Sequence, residues 1–323
     1  MKKRILLIAM KLYHQEFIKE LEKLNYEVTY YNDKPNDGVI CKTFGRLQTP
    51  LYQIILTRYY KRIVDNEKNK KFDYIFILRG EYAPPKALGY LRNTFTNSKF
   101  ILYMWDSIKN NKNVEQKWKY FDKVYSFDSL DCDKYEQLTL LPLFYIDEYS
   151  NNSESKKYDI AFVGTGHGDR PKIIKNVQDF CKQNNLTFYS YIYLPHKLIF
   201  FKNKIFNKDY KNIKMSDIHF KLLEFNKIAK IYSSSKCVLD IESQNQSGLT
   251  MRTIETLGSQ RKLITTNNEI IRYDLYDSQN VFIIDRSNII LNKDFIVSSY
   301  KQLDKKIYEK YTLKNWFKTM LEE

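Results

Sequence analysis

Residues 158–171 read YDIAFVGTGHGDRP, and this stretch decides the fold of the second half of the chain. Tyr158 to Val163 is a short apolar run with the look of a buried strand. Three glycines then fall within five residues, and Arg170-Pro171 opens a helical pattern. Strand, glycine turn and helix in succession are the grammar of an α/β domain. Glycines at such a turn let backbone N–H groups come close to a ligand, and the helix N-terminus behind them carries partial positive charge. Gly164, Thr165, Gly166, His167 and Gly168 therefore read as a loop that contacts phosphate, with His167 as a donor and Arg170 as a fixed cation. A pyrophosphate suits it. The loop is neither a Walker loop nor a GxGxxG fingerprint, and the plain alternative is a turn that only leaves a strand.

The same alternation runs outward in both directions. In the first half, strands are expected at Arg4–Met10, Glu27–Tyr31, Phe72–Leu78, Lys99–Met104 and Lys123–Ser126, with helices at His14–Leu24 and Leu51–Val64. In the second half, strands are expected at Tyr158–Val163, Thr187–Tyr193, Lys236–Ile241, Lys262–Thr266 and Val281–Ile284. Helices are expected there at His219–Tyr232, Thr250–Leu257 and Lys301–Leu321. Residues 149–157 (YSNNSESKK) are polar and lack periodicity, which marks a linker. The expected division is a domain over 1–148, a linker over 149–157, a second domain over 158–300 and a terminal helix over 301–323.

Bulk composition limits the function classes. Of 323 residues 43% are hydrophobic, enough to exclude a wholly disordered chain, and nine glycines with seven prolines exclude a fibrous one. A formal charge of +15 favours anionic partners: nucleic acid, acidic lipid or phosphorylated substrate. A solvated lysine surface explains much of the same excess. No helix-turn-helix, zinc-finger or RNP pattern is present, so only the charge speaks for nucleic acid, and none is expected as a partner. Cys41, Cys132, Cys181 and Cys237 form no CxxC pair and read as buried thiols in a reducing compartment. His14, His167, His196 and His219 lack metal-ligand spacing, so no metal or other cofactor is expected. The opening MKKRILLIAM has too short an apolar run for a signal peptide and reads as a first strand, and a cytoplasmic protein is expected.

A second segment, Asp240 to Asn267 (DIESQNQSGLTMRTIETLGSQRKLITTN), sharpens the reading. A strand ends, a polar loop follows, and a helix starts near Thr250. Gly248 frees the backbone before it, and Arg252 and Glu255 share one helical face. That helix is expected to point its N-terminus at the GTGHGDR loop, with an anion held between. Glu255 can accept both hydroxyls of a ribose, while Thr250 and Arg252 contact phosphate.

SGLTMRTIETLGSQRKLITTN (247–267) resembles the donor-nucleotide segment of the GT-B glycosyltransferases, the CgeB-like and capsular or lipopolysaccharide polysaccharide-biosynthesis enzymes above all. YDIAFVGTGHGDR (158–170) fits the same group, as does YSFDSLDCDKY (125–135) running into LPLFY (141–145). The resemblance implies an α/β protein of two Rossmann-like domains facing across a cleft, with the terminal helix crossing back to the first. It implies a UDP-sugar donor held by the second domain and a glycan or lipid-linked acceptor held by the first. Retaining enzymes of this fold carry a Glu eight positions before the ribose-binding one; here that position is Ser247. The resemblance therefore implies inversion, which needs a general base for the acceptor hydroxyl.

Candidates for that base sit at strand ends of the first domain: Asp106, Glu81 and His14. Arg79 either binds an anionic part of the acceptor or pairs with Glu81. Asp131-Cys132-Asp133 is formally a DxD, read here as a helix cap and not a metal site. Residues 196–230 carry nine lysines against Asp209, Asp217 and Glu224, a net +6, interleaved with Leu198, Ile199, Phe200, Phe201, Ile205 and Phe206. This segment is expected to touch the anionic inner face of the plasma membrane, where a polyprenyl-linked acceptor lies. The rivals are a nucleotide-sugar epimerase of the same fold and a non-catalytic basic nucleic-acid-binding protein.

Overall fold

The computed structural model describes residues 2–35, 49–111, 113–150, 155–244 and 246–322. The chain divides into two compact units. One gathers Met1–Pro142, Asn245–Gly248 and Leu313–Glu323; the other gathers Leu143–Gln244 and Leu249–Thr312.

The first unit is built on six parallel strands: β1 (Lys3–Ala9), β2 (Tyr26–Asn32), β3 (Tyr74–Leu78), β4 (Lys99–Met104), β5 (Lys123–Ser126) and β6 (Leu138–Leu140). Their order is β2-β1-β3-β4-β5-β6. Helices α1 (His14–Lys23), α2 (Pro50–Glu67), α3 (Pro85–Thr94) and α4 (Ser129–Lys134) make the connections. The strands read as apolar runs because helices cover a parallel sheet on both faces; every residue of β3 is buried. Helix α2 starts where Thr49 Oγ1 accepts from Tyr52 N and Pro50 takes a first-turn position.

The second unit repeats the plan. Its strands are β7 (Tyr158–Thr165), β8 (Phe188–Tyr193), β9 (Ile218–His219), β10 (Ser235–Asp240), β11 (Lys262–Thr265) and β12 (Val281–Ile283), in the order β12-β11-β10-β7-β8-β9, all parallel. Helices α5 (Arg170–Gln183), α6 (Lys197–Phe206), α7 (Phe225–Ser233), α8 (Met251–Gly258), α9 (Lys293–Val297) and α10 (Lys305–Lys310) accompany them. Ile160, Phe162, Val177, Leu239 and Ile264 lie in its core.

Several boundaries differ from the sequence expectation. Leu143, Phe144, Tyr145, Ile146 and Tyr149 are buried and belong to the second unit, so its packing begins before the polar stretch. A Cβ on Gly258 would sit 2.6 Å from the Tyr145 ring, which shows how tightly that segment packs against α8. The expected helix 219–232 is instead β9 followed by α7, because His219 pairs with Tyr193. The expected helix 301–321 is two: α10, and α11 (Leu313–Glu322) in the first unit. Between them Tyr311 O accepts from Tyr145 N and Tyr311 Oη donates to Asp274, and these tertiary bonds break the helix. Trp316 and Phe317 of α11 pack on Phe17, Phe76 and Tyr103, with 4.6 Å between the Trp316 and Tyr103 ring centroids. Cys132 is half-buried, not buried, and Cys41 lies outside the described residues. Among the described residues no helix is long and apolar enough to cross a membrane.

Candidate active site

In open parallel sheets, ligands bind outside the carboxyl ends of the strands where the strand order reverses. In the second unit that point lies between β7 and β10, whose neighbours run off in opposite directions. The chain places Gly164-Thr165 at one of these strand ends and Asp240 at the other.

The two expected segments meet there. Arg252 reaches from α8 to the end of β7, where Nε donates to Val163 O at 2.9 Å. A Cβ on Gly164 would collide with Arg252 Nη2. The glycines thus do different work. Gly164 makes room for Arg252, and Gly166 makes room for Tyr210 and Ile192, 2.7 and 2.8 Å from where its Cβ would stand. Gly168 holds a left-handed φ of +58° with open space around it. His167 and Gly168 are exposed.

Arg252 is turned inward, against the expectation that it lies open to phosphate. Its Nη1 stands 2.7 Å from Asp240 Oδ1, and its guanidinium covers the Phe162 ring at 4.8 Å. Burial is the largest single influence and works against its charge, but Asp240, Tyr232 and Glu255 together outweigh it and hold its pKa above the ordinary value. Thr250 is likewise occupied. Its hydroxyl donates to Asp240 and accepts from Thr253 N, which makes it the cap of α8. Thr253 Oγ1 donates to Asp240 as well, at 2.7 Å. Glu255, one turn on, is 7% exposed.

Arg170 carries its charge differently. Its Nε donates to Ile241 O at 2.8 Å, and Nη1 donates to Thr165 O and Oγ1 at 3.2 and 2.7 Å. Among the described residues these partners are neutral oxygens, and no carboxylate forms an ion pair with it. Burial first, and the neighbouring Arg252 second, lower its pKa to about 10, so it stays cationic at neutral pH.

Sequence reading missed the rest of this edge. Arg286 pairs with Asp169 at 3.0 Å and with Glu242 at 2.8 Å, and Gln244 Nε2 donates to Asp169. Glu242 is also bonded by Thr266 Oγ1. Burial raises its pKa, with the Thr266 bond and Arg286 opposing. The available signal was the DIE triplet at the end of a buried strand, which set two carboxylates at the carboxyl edge.

Gly248 belongs to the first unit. Ser247 N and Gly248 N donate to Asp128 Oδ2 at 3.0 and 3.2 Å, and a Cβ on Gly248 would lie 2.5 Å from the Phe127 ring. Asp128 also caps α4, so the cap is not the DxD; Asp131 Oδ2 instead accepts from Ile108 N at 2.7 Å. Among the described residues no three His, Cys, Asp or Glu side chains gather as metal ligands would.

The three base candidates occupy one edge of the first sheet, after β1, β3 and β4. Glu81 is ion-paired with Arg79, which itself has a left-handed φ of 71°. Lys117 Nζ steadies that turn by donating to Gly80 O at 2.7 Å and Glu81 O at 3.1 Å. Asp106 Oδ1 accepts from Ser107 N and Asn110 Nδ2 at 3.0 and 2.8 Å. His14 stacks on Tyr30 at 5.0 Å, and its Nδ1 lies 2.7 Å from Lys11 O. A carbonyl only accepts, so Nδ1 is the donor in this contact, and in the neutral ring that leaves the lone pair on Nε2.

No protein-family model and no curated protein matches the chain. Solved structures do. A glycosyltransferase from Rickettsia africae ESF-5 superposes with a TM-score of 0.60 at 14% identity, over 99% of this chain and 97% of that one. The UDP-GlcNAc 2-epimerase of Methanocaldococcus jannaschii gives 0.55 at 11%, over 100% and 99%. The catalytic domain of starch synthase IV from Arabidopsis thaliana, bound to ADP and acarbose, gives 0.52 at 8%, over 100% and 93%. At these identities the likeness is one of fold: the chain has the two-domain α/β architecture of the GT-B proteins.

Proposed function

We propose that this protein is a glycosyltransferase that moves a sugar from a nucleotide-diphosphate donor, a UDP-sugar, to a glycan or polyprenyl-linked acceptor in bacterial surface polysaccharide assembly. The observation that carries the reading is the meeting of the glycine loop 164–168 with α8 where the second sheet reverses its strand order. Backbone N–H groups of that loop and the N-termini of α5 and α8 would hold the diphosphate, with Arg170 as the cation. Glu255 would accept the ribose hydroxyls. Arg252 and Thr250 act through Asp240 to fix the start of α8 and the end of β7, so they position the site.

The acceptor belongs to the first unit in this reading, and His14 is the base. Its locked Nδ1–H leaves Nε2 able to take a proton. The acceptor hydroxyl gives its proton to Nε2, its oxygen attacks the anomeric carbon from the face opposite the phosphate, and the bond to the diphosphate breaks. UDP leaves and the anomeric configuration inverts. Glu81 is tied to Arg79, and Asp106 is bonded to its own loop, which suits both better to shaping this edge.

Calorimetric titration with UDP, then UDP release with and without candidate acceptors, tests the reading. UDP binding with acceptor-dependent release is expected. An epimerase is the second reading, favoured by the shared fold of the Methanocaldococcus enzyme; it would interconvert a UDP-sugar with no acceptor present. No affinity for UDP would remove both.

A further inference from the structure

Helix α6 is an unusual surface helix. Of its ten residues only Phe200 is buried. Leu198, Phe201, Ile205 and Phe206 are 69%, 50%, 75% and 81% exposed. Leu198, Phe201 and Ile205 stand at the helical spacing of one face, so they form a continuous apolar ridge turned away from the core. Exposed lysines surround it: Lys197 and Lys202 on the helix, then Lys208, Lys211 and Lys214 beyond. Lys204 does not join them, because its ammonium donates to the carbonyls of Tyr210, Lys211 and Ile213 at 3.2, 2.6 and 2.8 Å.

We propose that this outward face of α6 docks on an anionic lipid bilayer, with the ridge entering the acyl boundary and the lysines meeting the headgroups. Charge selects this occupant. A second copy meeting the ridge with its own would bring two sets of lysines together, which repel. A polyanion without an apolar layer would meet the lysines and leave the ridge wet. An acidic bilayer satisfies both at once. Lysine stems beside a ridge extend along it with the ammonium kept at the headgroups.

The docked helix is also joined to the candidate site. Asn207 Nδ2 donates to Gly168 O at 3.1 Å, and Tyr210 Oη donates to Gly166 O. A membrane-held α6 therefore fixes the glycine loop at the lipid surface. The docking itself stands independently of what that loop binds.

Co-sedimentation of the full chain with vesicles of phosphatidylglycerol and phosphatidylcholine in equal parts tests this. We expect binding at low salt, weakening at high salt, and little binding to phosphatidylcholine alone. F201D/I205D is expected to lose about tenfold or more in partitioning, and L198S/F206S to lose in the same direction. All four side chains are exposed, so both variants should keep the native melting temperature, and their UDP affinity should match the native chain. Absence of vesicle binding by the native chain, or equal binding by F201D/I205D, overturns the proposal. So does a native dimer that F201D/I205D converts to a monomer while neither binds vesicles.

Discussion

Arg252 Nη1 lies 2.7 Å from Asp240 Oδ1 beneath the carboxyl edge of the second sheet, with Asp240 wholly buried. Asp240 also accepts from Thr250 and Thr253. Removing one partner of such a pair leaves a buried charge uncompensated, at about 3–5 kcal/mol. Both D240A and R252A should lower the unfolding free energy measured by chemical denaturation by this order. A D240L/R252M double variant should lose less than the sum of the two singles, because no orphan charge remains. Additive losses would show that the pair does not hold this corner.

Gly164 and Gly168 should respond differently to alanine. At Gly164 the new methyl group displaces Arg252, so G164A should cost both stability and UDP affinity. At Gly168 nothing stands in the way, and only the positive φ is strained, for about 1 kcal/mol. Thermal melts of the two variants side by side check the order.

Glu255 and Arg170 should matter to ligand binding. E255A and R170A should each weaken UDP by about 1.5–3 kcal/mol, the scale of a charge-assisted hydrogen bond. Titration calorimetry reads this directly, and unchanged affinity in both would remove the site assignment.

His14 should separate chemistry from binding. H14A should reduce kcat by about a hundredfold to ten-thousandfold while UDP affinity stays native. E81Q and D106N should fall short of that loss. A full-rate H14A would return the role to Glu81 or Asp106.

Lys117 makes a pH signature. Burial lowers its pKa to about 8 in the fold, with Glu81 opposing, against about 10.4 in an unfolded chain. Between these values the unfolded chain holds the extra proton, so stability rises with pH. Relative to K117M, the native protein should gain up to about 3 kcal/mol as pH climbs through this window, a gain absent below it. Chemical denaturation at a series of pH values resolves the slope.

Much of this was legible in the residues. RILLIAM, FDYIFIL, YDIAFV and KCVLDI announce buried parallel strands, and the glycine loop announces the edge that matters. The inward turn of Arg252 was not legible, because a three-residue spacing places two side chains on one face without saying which face is buried. Asp240 stands inside the expected strand Lys236–Ile241 with no role of its own; that role exists only once Thr250, Arg252 and Thr253 arrive from α8. The break at Tyr311 was hidden for a similar reason, since Tyr145 and Asp274 lie far away in sequence.

Helix α11 completes the first unit with Trp316 and Phe317, although every other part of that unit is translated earlier. On the ribosome the first sheet must therefore wait, with Phe17 and Phe76 uncovered, while the second unit emerges and folds. Chaperone engagement should concentrate on the nascent first sheet and end when residues 313–322 clear the exit tunnel.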